Sequence, residues 1–291
     1  MHTASSGTRS LFAAVLLATS ACLAPCVQAG SPVPPDGKTP PAWKFVNFAS
    51  TNIEYLYGFN WDKPFSPSHD RDIVTLEHYN DNKLGDLYFF VDFANLATNE
   101  RGSVPQTGID IYGELSPRLS LSKWTGKSFK WGIIKDVFFY SGTFEFGSSG
   151  SLDNVNQAFG ANIETNSFSQ LHGIAVDFDL PGFAYAQLNG YWRDNINVEG
   201  STWQITGVWG IPFQLGGTRW MFKGFFDVAG HEHNLSWQFH SSPQLVIDIG
   251  DLLFGKKDIL LAGTEVDIWV NEYGVRNQKD FVPQTFVQVY F

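Results

Sequence analysis

Hydrophobic and polar residues alternate with a period of two along most of this chain, the spacing at which successive side chains fall on opposite faces of a strand. Leu87, Phe89, Val91 and Phe93 share one face of a segment whose other face carries Asp86, Tyr88, Phe90 and Asp92. Ile109, Ile111, Leu115, Leu119 and Leu121 alternate with Asp110, Tyr112, Glu114, Ser116, Arg118 and Ser120. The same rhythm runs through Ile174 to Leu180, Ala184 to Arg193 and Thr264 to Asn271, with the turn dipeptide Pro181-Gly182 between the first two. A helix would mix the two sets in every case.

The runs predict strands at about 45–59, 71–80, 85–94, 108–121, 133–146, 171–180, 182–195, 201–213, 217–230, 234–250, 260–273 and 282–291. Most reach the roughly 9 to 11 residues that a tilted strand needs to cross a bilayer. The connections alternate in character. Phe59 to Arg71, Asn95 to Thr107 and Gly147 to Gln170 are long and polar, whereas Asp81 to Leu84 and Pro181-Gly182 are short. Outer-membrane barrels alternate long external loops with short periplasmic turns in this way. The expected fold is all-β, an antiparallel transmembrane β-barrel of about twelve strands spanning 45–291. Its last strand ends on Phe291, with Val287 and Val289 on the same face.

Composition sharpens the compartment. Arg9 precedes an apolar stretch from Leu11 to Leu23, followed by the small-x-small pattern Val27-Gln28-Ala29, so residues 1–29 read as a secretory signal peptide and 30–44 as an N-terminal periplasmic segment. Both cysteines, Cys22 and Cys26, fall within the signal, and no disulfide is expected afterwards. Removing the signal leaves 18 Lys and Arg against 29 Asp and Glu, a formal charge of −11. That balance disfavours nucleic acid as a partner and a phosphate-selective pore, both of which need clustered cations. Phe, Tyr and Trp make up 16 % of the chain although the mean hydropathy is −0.12. A lipid-facing band with aromatic girdles around a polar interior accounts for both values.

The inward face carries Ser50, Asn52, Glu54, Thr75, Glu77, Tyr88, Asp92, Tyr112, Glu114, Arg118, Lys135, Phe139, Tyr185, Gln187, Tyr191 and Arg193. Twelve strands lie between the eight that side chains fill and the sixteen or more that enclose an open channel, so a narrow, selective lumen is expected. Aromatic rings stack on flat heterocycles, while carboxylates, amides and guanidinium groups hydrogen-bond sugars. The alternative for any one inward charge is pairing across the lumen to stiffen the barrel.

Specific motifs then narrow the solute. Tyr112-Gly113-Glu114-Leu115-Ser116-Pro117-Arg118-Leu119-Ser120-Leu121 resembles the Glu-x-x-Pro-Arg-x-Ser strand of Tsx-type nucleoside-specific channels and their OmpK-like relatives. Lys135-Asp136-Val137-Phe138-Phe139 is similar to that family's next strand. Thr75 to Tyr79 leading to Asp86 to Asp92, Glu265 to Trp269, and Val282 to Phe291 resemble it in the same order. The resemblance implies an outer-membrane barrel passing nucleosides and deoxynucleosides by diffusion, with outer loops used as phage or colicin receptors. Carried onto this chain, it marks Glu77, Tyr88, Asp92, Glu114, Arg118 and Lys135, with Glu54, Tyr57 and Phe59 matching the first strand. The substrate-binding set is thus Glu54, Glu77, Tyr88, Asp92, Tyr112, Glu114, Arg118, Lys135 and Phe139, with no cofactor or metal and a monomer in outer-membrane lipid.

Two other classes compete. A lipid-modifying outer-membrane enzyme would use Ser and His near the outer leaflet, and His231-Glu232-His233 places two imidazoles at strand spacing, as a metal site or an exposed turn tip would. A receptor or structural barrel would conduct little.

Overall fold

The computed structural model describes residues 45–63, 69–97, 108–160, 162 and 164–291. The proposed signal peptide and the 30–44 segment lie outside the described residues.

The alternating runs form strands β1 (Val46–Trp61), β2 (His69–Asn82), β3 (Gly85–Ala94), β4 (Asp110–Ser120), β5 (Ile134–Ser149), β6 (Asn166–Phe178), β7 (Tyr185–Asn195), β8 (Thr202–Leu215), β9 (Thr218–Ala229), β10 (Gln238–Ser241), β11 (Gln244–Asp248), β12 (Leu260–Val270) and β13 (Lys279–Tyr290). Each pairs antiparallel with its neighbours, and β13 returns to β1 from Asn52↔Tyr290 to Gly58↔Gln284. That pairing closes the sheet, which removes the unpaired edges an open sheet would expose.

Thirteen segments make twelve strands, because β10 and β11 both lie between β9 and β12. Ser242-Pro243 interrupts them. Proline has no N–H to offer the ladder, and the backbone of β9 comes so close there that a Cβ on Gly224 would lie 2.7 Å from the Ser242 carbonyl oxygen. The ladder resumes at once, with Ser242 N donating to Phe225 O and Val266 N to Pro243 O.

One end of the barrel carries both described termini, the turns at Lys83-Leu84 and Gly216-Gly217, and helices α1 (Leu121–Thr125) and α3 (Ile249–Phe254). Gly216 and Gly217 both adopt positive φ, 59° and 83°, as a two-residue hairpin requires. By the usual asymmetry of bacterial barrels this is the periplasmic end. The opposite end bears the longer loops. There the Gly147 to Gln170 segment, read as a loop from the sequence, instead holds the end of β5, helix α2 (Gly150–Phe159) and the start of β6. Ser149 ends the strand and caps the helix, accepting from Leu152 N.

Ile53, Leu76, Phe93, Leu115, Ile174, Leu188, Ile205, Phe222, Leu245 and Val287 point outward and are exposed. They form the lipid-facing belt. The interior is divided. On the side of β1, β2, β3, β12 and β13, Leu56, Ile73, Tyr88, Phe90, Val282, Phe286 and Trp269 pack together and fill that part of the lumen. The space left open is lined mainly by β4 to β10, with Trp269 and Tyr273 at its border.

Candidate functional site

This division sorts the residues expected to meet a solute. Glu54, Glu77, Tyr88 and Asp92 face inward but belong to the filled wall, each at most 5 % exposed. Glu54 Oε2 accepts from Gln288 Nε2 at 2.6 Å, and Asp92 Oδ1 accepts from Thr75 Oγ1 at 2.6 Å. Tyr88 packs on Phe90, which packs in turn on Tyr112. Lys223 of β9 is a buried cation facing this wall, surrounded by Glu54, Glu77 and Glu265, with its Nζ 3.5 Å from Gln288 Oε1. Glu265 accepts from Gln244 at 2.6 Å and from Gln284 at 2.8 Å. Buried charges are tolerated where opposite charges and donors surround them in this way.

Tyr112, Glu114 and Arg118 instead line open space. Two adjoining cavities of about 440 and 780 Å³, counted with the solvent they open to, share Glu114, Glu145, Gln204 and Asp227. The upper cavity reaches Tyr112, Arg193, Glu232, His240 and Tyr273, and the lower one Tyr191, Asn189 and Arg118. At their junction Arg193 makes a bidentate pair with Glu145, both contacts 2.5 Å, and donates to Gln204 Oε1 at 2.8 Å. Tyr112 donates to Glu114 Oε1 at 2.8 Å. Gln204 and Thr206 both donate to Asp227. The two cavities thus present phenol rings, a guanidinium and several acceptors.

At the periplasmic side of this passage Arg118 grips two carboxylates. It donates to Asp86 at 2.8 and 2.6 Å and to Asp177 at 2.8 and 3.4 Å, with its guanidinium 4.0 Å from the Phe138 ring centroid. Ties between β3, β4 and β6 narrow the exit here.

Lys135 and Phe139 do not face the lumen. Both are exposed on the outer surface of β5, and Phe139 packs edge-on against Trp124 at 5.7 Å. They were expected on the inward face, but Val137-Phe138-Phe139-Tyr140 is an apolar run that does not reveal its phase. Register shifts between Ile134 and Asp136 and between Phe138 and Ser141 set that phase. Asp136, Phe138, Ser141 and Thr143 turn inward, and a one-residue slip moves every side chain to the other face. Tyr57 and Phe59 likewise lie on the outer face of β1, where their rings meet at 5.1 Å.

Glu145, Asp227, Gln204, Lys223 and Glu265 were missed as site residues. Glu145 and Asp227 were readable in principle, since each follows a phenylalanine within an alternating run.

The outer mouth is narrowed by two loops. Ser236 N donates to Gly274 O at 2.8 Å, and Asn271 Nδ2 donates to Trp237 O at 2.9 Å. Lys63 reaches across to Glu272 Oε1 at 3.5 Å and to the Tyr273 hydroxyl at 2.6 Å. Burial pushes the Glu272 carboxyl from its ordinary 4.5 to about 8, outweighing Lys63, while Asp267 and Asp280 push it the same way. A carboxyl raised on docking stabilises the docked loop fully below its free value of 4.5, and that contribution is lost as pH rises through 8. Tryptic cleavage at Arg276 is therefore expected to accelerate between pH 6 and 9, and Glu272→Gln should flatten that dependence. Equal pH profiles for the two proteins would refute the assignment.

Among the described residues the histidines form no nucleophile triad. His240 stacks on Trp269 at 4.1 Å, and its Nε2 lies 2.7 Å from Asp267 Oδ1 and 3.4 Å from Ser242 Oγ. A nucleophile triad needs the carboxylate on one ring nitrogen and the serine on the other. Here both share Nε2. His231 and His233 are exposed on the hairpin tip with Glu232 buried between them, and no cluster of three metal-ligating side chains occurs among the described residues.

Comparison with known proteins agrees with this geometry. A family profile described as nucleoside-specific channel-forming protein, Tsx, matches residues 46–244. Outer membrane protein OmpK of Vibrio parahaemolyticus is 29 % identical over 139 residues, 47 % of this chain and 46 % of that protein. The match thus spans about half the length of this curated relative. The high-pH structure of Pseudomonas putida OprB aligns over 85 % of this chain and 94 % of its own at 8 % identity, with a TM-score of 0.29. The family consists of channels and not enzymes. With a closed twelve-stranded barrel and a profile match over most of its described length, the chain belongs to the family of Tsx-type nucleoside-specific channel-forming proteins of the outer membrane.

Proposed function

We propose that this barrel passes nucleosides and deoxynucleosides by passive diffusion, without a cofactor, through the passage between β4 and β9. The observation that carries the reading is the junction where Tyr112, Glu114, Glu145, Arg193, Gln204 and Asp227 meet. A ring held against Tyr112 or Tyr191 and ribose hydroxyls directed to carboxylate and amide oxygens would be bound through several weak contacts. Each is worth about 0.5–1.5 kcal/mol net, so a solute enters readily and leaves readily. Tyr112, Glu114 and Arg118 are assigned to this path. Glu54, Glu77, Tyr88 and Asp92 support it by keeping the opposite wall filled.

Single-channel recording in planar bilayers tests the reading. Added adenosine or thymidine at micromolar to millimolar concentration is expected to interrupt the current in a concentration-dependent way, whereas free ribose should not. A conducting barrel indifferent to both nucleosides would overturn the substrate, and a barrel that carries no current would favour a receptor.

A further inference from the structure

Lys135 and Phe139, on the outer face of β5, lie toward the periplasmic rim. Between Glu114 and Asp136 the chain contains no acidic residue, yet it carries Lys123, Lys127, Lys130 and Lys135 interleaved with Trp124, Phe129 and Trp131. Helix α1 and the turn after it fold this stretch across the foot of β4 and β5. Trp124, Trp131 and Ile133 are left 57 %, 80 % and 57 % exposed, with Phe139 beside Trp124.

The lysines have different duties. Lys123 is engaged by Asp81 and by the carbonyl oxygens of Asn82 and Gly85, and Lys130 by Asp179 at 2.5 Å. The ammonium groups of Lys127 and Lys135 make no hydrogen bond or ion pair among the described residues. Asp177 and Asp179 are within electrostatic reach of Lys135, but Arg118 holds the first and Lys130 the second. Two cations without a hydrogen bond or ion pair among the described residues thus lie in a stretch that exposes two indoles, on a chain of net charge −10. Indoles settle at the membrane interface and lysines extend toward its phosphates.

We propose that this patch binds the phosphate of an anionic phospholipid in the periplasmic leaflet. Lys127 and Lys135 contact the headgroup, while Trp124, Trp131, Ile133 and Phe139 receive the glycerol and upper acyl region. Charge complementarity selects this occupant: zwitterionic headgroups offset the phosphate with their own ammonium, whereas phosphatidylglycerol leaves it free for the two lysines. Helix α3 on the same rim also exposes Leu252, Leu253 and Phe254 before Lys256 and Lys257, but Asp251 and Asp258 adjoin it. It serves as the comparison.

The test is native mass spectrometry of the intact barrel released from nanodiscs of equal phosphatidylglycerol and phosphatidylcholine. The unaltered protein is expected to retain phosphatidylglycerol preferentially, and the preference should fall as sodium chloride rises. Each of Lys127→Gln and Lys135→Gln should weaken the preference about fivefold, the equivalent of roughly 1 kcal/mol for one lysine near an anionic surface. Lys256→Gln with Lys257→Gln should have less effect. No preference in the unaltered protein, a preference indifferent to salt, or an equal loss from the α3 pair would overturn the site. An acidic periplasmic protein as the true occupant would appear as an unaltered barrel with no lipid preference.

Discussion

Arg118→Met is expected to lower the unfolding free energy of the barrel by about 3–5 kcal/mol, the usual cost of stripping one partner from a buried ionic group. The side chain is 2 % exposed and holds four contacts to Asp86 and Asp177. Methionine fills much of the volume against Phe138 but leaves two carboxylates facing each other across the lumen. The change in urea midpoint measured in detergent checks this value. Adding Asp86→Asn and Asp177→Asn should recover part of the loss, because the repulsion left behind is removed with the charges. Arg118→Lys should fall between, since an ammonium keeps the charge but not the planar fork that grips both partners at once. A midpoint unchanged by Arg118→Met would mean that Asp86 and Asp177 are solvated rather than clamped, and the narrowing of the periplasmic exit would have to be explained without them.

The second large effect concerns transport and rests on the proposed path. Arg193→Gln removes the bidentate partner of Glu145 and the donor to Gln204 while Glu114, Glu145 and Asp227 remain around the junction. With the cation gone, the passage presents three carboxylates, so the reversal potential in a salt gradient should shift toward stronger cation selectivity. The nucleoside concentration giving half-block should rise about tenfold, corresponding to roughly one lost hydrogen bond of 1.4 kcal/mol. The two readouts separate two roles for Arg193. A selectivity shift with unchanged block would leave it a purely electrostatic element, and no change in either would move the solute path away from this junction.

Much of the barrel could be read from the chain because a strand in a closed membrane sheet has only two environments, lipid and lumen. Alternation assigns a residue to one or the other without knowledge of any neighbour. Hence Glu54, Glu77, Tyr88, Asp92, Tyr112, Glu114 and Arg118 all face inward as their pattern predicts. The same rule fails where its signal vanishes. In Val137 to Tyr140 every residue is apolar, and bulged pairing with β6 rather than local pattern chose the phase that sent Lys135 and Phe139 outward. The turn at Ser149 and helix α2 were also hidden, since a short capped helix in an outer loop carries no period-two signal.

Facing inward is not the same as meeting a solute, and here the local pattern is silent. Glu54 and Glu114 look alike in sequence, each a glutamate within an alternating strand. Which one borders open space depends on the residues that come to face it across the barrel. Lys223 from β9 and Gln288, beside it on β13, close over Glu54, whereas Glu114, paired with Glu145 on β5, borders the cavities it shares with Gln204 and Asp227. By itself the sequence determined that twelve strands alternate between lipid and water. Only closure of the sheet decided which inward side chains pack against one another and which line the path, because contacts across a barrel join residues that no local period relates.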